Sequence, residues 1–220
     1  MRALRTTRCL TLLGLSLAIA HRLLADGGVQ ITVKDTKGLS VADAVVSLMP
    51  LDTKPTLTPA PEPLVIAQRG QEFTPYFTAL VVGSRVTFPN QDTVRHQVYS
   101  TSKPKPFEIP LYGPGAGQTI TFDKPGLVSL GCNIHDWMSA HIVILETPFF
   151  VKTPANGSTV IPSLPPGRYR LDVWHPRLAT DAQREITIAP GDSPMQTIAV
   201  VLKPDRRIRR APDGAGDGYK

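Results

Sequence analysis

The sequence predicts an all-β protein made of two β-sandwiches. Its 220 residues include 22 prolines and 17 glycines, a composition typical of chains with many turns. Helical periodicity is scarce after the N-terminus. Short segments that alternate apolar and polar residues recur between the turns instead, and this period of two indicates strands with one buried face. The length is enough for one large or two small domains.

The first 25 residues are predicted to be a signal peptide. Three arginines precede an apolar stretch over residues 10–20, which is too short to cross a bilayer. Cleavage could follow Ala20 or Ala25. We therefore expect export to the periplasm and no transmembrane segment in the mature chain. A buried N-terminal helix or a membrane anchor is the alternative.

Export would leave the mature chain with one cysteine. Cys9 lies within the signal, so Cys132 alone remains. An oxidising compartment would use a pair of cysteines for a disulfide. A single thiol there is reactive, intermolecular or a metal ligand.

The positive charge is concentrated at the two ends of the chain. Residues 203–220 carry a net charge of +3, whereas residues 21–202 hold 15 basic and 15 acidic residues. The body of the chain therefore has no electrostatic reason to bind nucleic acid. Residues 204–220 are polar and rich in arginine, and we expect a disordered basic tail.

Three blocks of strands follow the signal. The first has strands at residues 29–35 and 44–49 and ends in a linker rich in proline and threonine over 50–63. The second has strands at 64–67, 79–82, 85–88, 97–100, 119–122, 127–132 and 141–145. The third has strands at 149–153, 169–174, 185–189 and 197–202.

A candidate metal site lies between the last two strands of the second block. Cys132, His135 and Met138 stand three residues apart, and His96 lies upstream. One thiolate, two imidazoles and a weak thioether are the ligand set of a blue-copper electron-transfer site. We therefore expect one type 1 copper ion per chain, with Cys132 as the strong ligand and Met138 as the axial one.

Each of these residues also has a plainer interpretation. A lone cysteine is most often a small buried hydrophobe, and Met138 could simply fill the core. The Cys-x2-His pair could be half of a zinc site, although no second cysteine or close histidine pair completes one. His141 is a further candidate ligand, but it starts the next strand and its side chain could face outward.

Several features between residues 64 and 145 form a recognisable set: Val86-Thr87-Phe88-Pro89-Asn90, Phe122-Asp123-Lys124-Pro125-Gly126, the position of His96 and the short Cys-x2-His-x2-Met loop. In these features, residues 64–145 resemble a small cupredoxin of the plastocyanin and amicyanin kind. The run Leu130-Gly131-Cys132-Asn133-Ile134-His135-Asp136 resembles cupredoxins named as methylamine utilisation proteins. The resemblance implies a Greek-key sandwich over 58–147. It also implies a periplasmic electron carrier that is not an enzyme, with a periplasmic dehydrogenase or a cytochrome as redox partner.

The site departs from plastocyanin and amicyanin in two places. Gln97 follows His96 where those proteins carry asparagine, which helps to hold the ligand loop, and no proline stands beside His135. These departures leave the hydrogen bonding around the ligands open. The edge of His135 is the predicted electron port, and Trp137, Tyr112 and Leu111 are candidates for an apolar docking patch around it.

The flanks resemble a carboxypeptidase regulatory-like β-sandwich split into two parts. Residues 33–46 resemble its opening, and residues 156–171 resemble its later half. We therefore expect 28–51 and 149–203 to form one discontinuous sandwich, with Trp174 in its core and the cupredoxin inserted between the halves. The alternative is an N-terminal hairpin that belongs to the cupredoxin.

Two further functions would use the same ligands. One is a copper carrier or sensor, which should exchange its copper readily. The other is an interaction module in which the sandwich binds a partner and copper is structural, so that a Cys132→Ser protein would keep full partner binding.

Overall fold

The fold is all-β, as the sequence predicted. The computed structural model describes residues 26–205, and no α-helix occurs in that range. Within it lie seventeen strands: β1 (Gly27–Asp35), β2 (Val45–Pro50), β3 (Leu64–Val65), β4 (Ala67–Arg69), β5 (Glu72–Thr74), β6 (Phe77–Val81), β7 (Ser84–Thr87), β8 (His96–Ser100), β9 (Phe107–Tyr112), β10 (Thr119–Phe122), β11 (Gly126–Gly131), β12 (Ser139–Leu145), β13 (Phe150–Lys152), β14 (Ser158–Leu164), β15 (Gly167–Trp174), β16 (Ala182–Ile188) and β17 (Met195–Val200).

The predicted signal peptide lies outside the described residues, as does the predicted tail beyond residue 205. Within residues 26–205, no helix is long and apolar enough to span a membrane.

The first two strands pair with strands from the far end of the chain. β1 lies between β14 and β17, and β2 lies between β13 and β15 in a sheet that β16 completes. Alternation along β1 points Val29, Ile31 and Val33 to one side, where they are buried. The two sheets share one apolar core, here called the flanking core, whose members include Val29, Ile31, Val33, Val46, Leu48, Ile161, Leu164, Tyr169, Leu171, Val173, Ile186, Ile188 and Ile198.

The strands between residues 64 and 145 form separate sheets. One has the order β6-β12-β11-β8-β9, a second has the order β10-β7-β3, and β4 pairs with β5 as a short hairpin. They enclose a second core, here called the central core, which consists of Ile66, Phe73, Leu80, Val86, Phe88, Val98, Ile109, Phe122, Val128, Leu130, Cys132, Met138, Ala140, Ile142 and Ile144.

A third apolar cluster joins the two sets of sheets. Its buried members, here called the junction cluster, are Val45, Phe77, Val143 and Leu145. Trp174 packs against this cluster and not in the flanking core, so its predicted place was wrong. Leu171 and Val173 on β15 already point into the flanking core, and Trp174 follows on the opposite face of the strand.

The chain leaves the flanking sheets after β2 and returns to them before β13 at one place. The Leu48 amide donates to the Phe149 carbonyl oxygen at 2.8 Å, and the Thr147 hydroxyl donates to the Leu48 carbonyl oxygen at 2.6 Å. The predicted discontinuous sandwich of 28–51 and 149–203 requires this proximity. The division into domains itself stays a prediction.

Two strands that the sequence did not predict are edge strands that contain proline. β9 holds Pro110 at the edge of its sheet, and β14 holds Pro162 beside β1. Proline cannot donate to a ladder, so a strand that contains it is confined to an edge and reads as a loop. The β4–β5 hairpin was also missed, because strands of three residues are too short to show a period.

Candidate metal centre

The four predicted ligands lie at one end of the five-stranded sheet. His96 is the first residue of β8, Cys132 follows the last residue of β11, and Met138 precedes β12. β8 and β11 are neighbours, with Gly131 opposite Tyr99. The end of one strand and the start of the other therefore bring Cys132 and His96 together from distant positions in the sequence.

Three of the predicted ligands converge on one point. The ligand atoms of His96, Cys132 and His135 all lie within 4.8 Å of one another. The Cys132 Sγ is 3.7 Å from the His135 Nδ1 and 4.0 Å from the His96 Nδ1. His96 and Cys132 are buried, and His135 is half-buried. Both imidazoles thus turn the same nitrogen toward the thiol.

Met138 is buried beside this group in the central core. It is 2% exposed and belongs to the same apolar cluster as Cys132. Its amide donates to the His135 carbonyl oxygen at 2.9 Å, which closes the loop as a turn. The short spacing therefore returns the chain to the core directly after His135.

A carboxylate fixes the orientation of the His96 ring. The His96 Nε2 lies 2.8 Å from the Asp92 Oδ2. An ionised carboxylate only accepts hydrogen bonds, so Nε2 carries the proton and Nδ1 of the neutral ring keeps its lone pair toward Cys132. The sequence did not single out Asp92.

The charge on Asp92 is retained despite partial burial. Burial by itself would raise the pKa of Asp92. Hydrogen bonds from the Gln71 amide, from the His96 ring and from the Gly70 amide outweigh that effect and hold the pKa below its usual value. Asp92 therefore stays an anion in the neutral pH range and remains an acceptor for His96.

Asn90 holds the loop that leads to His96. Its amide nitrogen donates to the Val94 carbonyl oxygen at 2.8 Å and to the Tyr112 carbonyl oxygen at 3.2 Å. Its oxygen accepts from the Asp92 amide at 2.9 Å, which is an Asx turn. Gln97 instead donates to Glu108 on the exposed face, so Asn90 supplies the loop contacts that Gln97 does not.

The predicted docking residues differ in exposure. Leu111 is 42% exposed, whereas Trp137 and Tyr112 are half-buried. The Tyr112 hydroxyl donates to the Phe88 carbonyl oxygen at 2.6 Å and accepts from the Gln68 side chain. Burial raises the pKa of this hydroxyl, and the hydrogen bond from Gln68 opposes the shift.

An exposed apolar residue that was not predicted from the sequence lies beside His135. Ile134 is 48% exposed and directly precedes His135 in the ligand loop. A lone isoleucine between polar residues gives no signal in the sequence, because only the fold shows which side of the loop faces outward.

His141 does not join the metal group. Its Nδ1 lies 3.1 Å from the Ser129 hydroxyl, and its ring packs edge-on against Tyr76 at 5.3 Å. It shares the face of β12 with Val143 in the junction cluster. Burial lowers the pKa of His141. The alternative ligand thus faces away from the central core.

Comparisons with known proteins give partial similarities to solved structures. No family model matches the chain, and no curated protein does. A Cu-containing nitrite reductase from Thermus scotoductus SA-01 is 29% identical over 44% of this chain, with a TM-score of 0.37, and the match spans only 25% of the reductase. A reduced mutant of amicyanin is 16% identical over 46% of this chain and 98% of its own, with a TM-score of 0.37.

A purple cupredoxin from Nitrosopumilus maritimus is 22% identical over 37% of this chain and 96% of its own, with a TM-score of 0.33. Cupredoxins are thus among the solved structures to which the chain is similar, as the sequence resemblance predicted. All three TM-scores lie below 0.5, so these similarities by themselves assign no function to the chain.

The donor set fits copper. Two imidazole nitrogens and a thiol sulfur converge in the part of the chain that the structure describes, and a thioether is buried in the same core. A structural zinc site takes four cysteine or histidine ligands, whereas His2Cys with a weak sulfur is the donor set of a blue-copper site. His96, Cys132 and His135 would hold the ion.

Proposed function

We propose that this protein is a type 1 (blue) copper protein that carries single electrons between redox partners. The observation that supports this most directly is the convergence of His96, Cys132 and His135, whose ligand atoms all lie within 4.8 Å of one another. Met138 is proposed as the axial ligand on the basis of its burial in the same core. No substrate is transformed in this proposal.

The role of the chain is to keep the metal ligands in place while the charge of the copper ion changes. Copper bound here would take up and release one electron as it changes between Cu(I) and Cu(II). The His96 Nε2 donates to the Asp92 Oδ2 at 2.8 Å, which orients the His96 ring. The Met138 amide donates to the His135 carbonyl oxygen at 2.9 Å, which closes the ligand loop as a turn. Donors that are already oriented need little rearrangement during transfer.

Burial of the ligands favours electron transfer over copper carriage. His96 is fully buried, and Cys132 is 4% exposed, so a chelator or a partner protein could not reach these two donors directly. His135 is the half-buried member of the group. Its edge, with the exposed Ile134 beside it, is the proposed port through which electrons enter and leave.

The proposal includes export to the periplasm. It is supported by the three arginines and the apolar stretch within residues 1–20. The partners would then be redox proteins of that compartment, such as a dehydrogenase or a cytochrome. Methylamine as the substrate of such a dehydrogenase remains a resemblance in the ligand loop only.

Copper reconstitution of the metal-free protein tests the function. Visible and electron paramagnetic resonance spectra should show intense blue absorption and the narrow copper hyperfine splitting of a thiolate-bound site. A colourless Cu(II) complex with ordinary splitting would contradict the proposal. A chelator challenge separates the alternatives, because a copper carrier should lose its ion readily whereas an electron carrier should retain it.

A further inference from the structure

A tight turn contacts the groups that hold both histidines of the candidate metal centre. Arg69 at the end of β4 pairs with Glu72 at the start of β5, which leaves Gly70 and Gln71 as a two-residue turn. Their φ angles are 64° and 56°, the left-handed conformation of a type I′ hairpin. We call these two residues the β4–β5 turn.

The hairpin is fastened to the body of the protein. The Gln68 amide donates to the Pro89 carbonyl oxygen at 2.9 Å, and the Gln91 amide donates to the Gln68 carbonyl oxygen at 2.9 Å. Phe73 on β5 is buried in the central core. The β4–β5 turn therefore has a fixed position relative to the loop that leads to His96.

The amides of the turn hold His96 through Asp92. The Gly70 amide donates to the Asp92 Oδ1 at 2.6 Å, and the Gln71 amide donates to the Asp92 Oδ2 at 2.8 Å. The Oδ2 atom also accepts from the His96 Nε2 at 2.8 Å. The carboxylate thus bridges the turn and the imidazole ring.

The carbonyl oxygen of the same turn contacts the residue that packs against His135. The Trp137 indole nitrogen donates to the Gln71 carbonyl oxygen at 3.1 Å. The centroids of the Trp137 and His135 rings are 5.2 Å apart at an interplanar angle of 53°. Tryptophan is the side chain that offers both a broad ring and an N–H donor.

We propose that the β4–β5 turn is the common positioning element of both imidazoles. In this arrangement Asp92 is the positioning residue for His96, and Trp137 is the positioning residue for His135. One turn then sets the relative orientation of two ligands that lie on separate segments, before any metal is bound. This inference rests on the proposed function, because the two imidazoles would be positioned to bind copper.

The first test compares single substitutions in the full-length, metal-free protein. Trp137→Phe keeps a ring beside His135 but removes the donor to Gln71. Asp92→Asn keeps the shape of the side chain but removes its charge and one acceptor oxygen. Gln71→Asn is the matched control, because the turn uses only the backbone of residue 71 and asparagine tolerates the left-handed conformation.

Nuclear magnetic resonance relaxation of the imidazole rings is the readout. Trp137→Phe should lower the order of the His135 ring and leave the His96 ring unchanged, and Asp92→Asn should do the reverse. Gln71→Asn should change neither ring. Unchanged order of both rings in Trp137→Phe and Asp92→Asn would overturn the proposal. If Trp137→Phe does not fold, unchanged order of the His96 ring in Asp92→Asn still overturns the proposal, because the proposal requires both rings to depend on the turn.

The copper-loaded proteins give a second readout. Copper affinity, measured by competition with a chelator, should be about tenfold lower or more in Trp137→Phe and Asp92→Asn, the usual scale for groups that orient metal ligands. Equal affinities in all variants would contradict the proposal. A wild-type protein that binds no copper would contradict the proposed function instead, and the metal-free ring measurements would still test the turn.

Discussion

At the scale of single residues, the Cys132 sulfur should determine the colour of the protein. Cys132→Ser removes the thiolate from the buried group and keeps a side chain of similar shape. The copper complex should then lose its intense visible absorption, because charge transfer from the thiolate to Cu(II) produces that band. Absorption spectra after reconstitution measure the loss. A blue Cys132→Ser protein would show that the ligand assignment is wrong.

His141→Gln is the control for that experiment. The histidine contacts Ser129 and Tyr76 and lies away from the ligand atoms. We expect its copper complex to stay as blue as the wild type. Loss of colour in this variant would restore His141 as a ligand.

Met138 should tune the reduction potential. Met138→Leu removes axial donation, destabilises Cu(II) and should raise the potential, whereas Met138→Gln supplies a harder donor and should lower it. Protein-film voltammetry measures both shifts. Equal potentials in the wild type and both variants would show that the buried thioether does not contact the metal.

The sequence indicated the proposed ligands but not the residues that contact them. Cys132, His135 and Met138 have a spacing that few other sites share, so their chemistry was readable from the chain. Asp92 is an ordinary loop aspartate in the sequence, although it stands four residues before His96. Gln71 acts through its backbone, and backbone groups have no signature in a sequence.

At the scale of elements, Gly117 should be required for the loop before β10 to pack. It has a φ of +73°, and a Cβ atom there would lie 1.9 Å from the Phe88 carbonyl oxygen. Gly117→Ala should therefore lower the stability by more than the ~1–2 kcal/mol that a left-handed alanine costs by itself. Denaturant unfolding, followed by the signal of the copper site, measures the loss.

Gly38→Ala separates the cost of a left-handed alanine from the cost of a close contact with neighbouring backbone. Gly38 has a φ of +81°, but a Cβ atom there would meet nothing within 4 Å. Gly38→Ala should therefore lower the stability only by the cost of the left-handed conformation. Equal losses in Gly38→Ala and Gly117→Ala would mean that the contact with Phe88 relaxes freely.

Element prediction failed where local patterns and position in a sheet disagree. β9 and β14 contain proline and were not predicted as strands, yet both lie at sheet edges, where a missing donor is tolerated. The order of strands in a sheet depends on contacts across the whole chain. Whether a strand is an edge strand therefore cannot be read from its own residues.

At the scale of the whole molecule, the two sets of sheets meet through the junction cluster. β12 carries the consecutive apolar residues Ile142, Val143, Ile144 and Leu145. A strand buried on both faces reads as such a run, and here one face lies in the central core and the other in the junction cluster. The run was visible in the sequence, but not what covers its second face.

The domain division can be tested by separating the two sets of sheets. Residues 26–50 joined to 149–203 through a short linker should fold as a colourless β-protein. With about 80 residues it should be only modestly stable. The segment 58–147 contains all four proposed ligands and should bind copper alone. Circular dichroism and absorption spectra measure both outcomes.

Excision should also expose apolar surface. Phe77, Val143 and Leu145 would lose the cover of the flanking sheets, so the segment 58–147 should associate more readily than the full chain. The result that would contradict the division is an unfolded joined protein, together with a segment that binds copper only after residues 28–50 are restored.

The adjacency of Leu48 and Phe149 has a consequence for synthesis. β1 and β2 leave the ribosome early, but the strands they pair with are made last, as the pairing of Gln30 with Met195 shows. The strands over 64–145 find all their sheet partners within one continuous stretch, and nearer contacts form faster than distant ones. We therefore expect the sheets over 64–145 to form first, while β1 and β2 remain unpaired. The flanking sheets should form only after the strands over 149–203 have been synthesised.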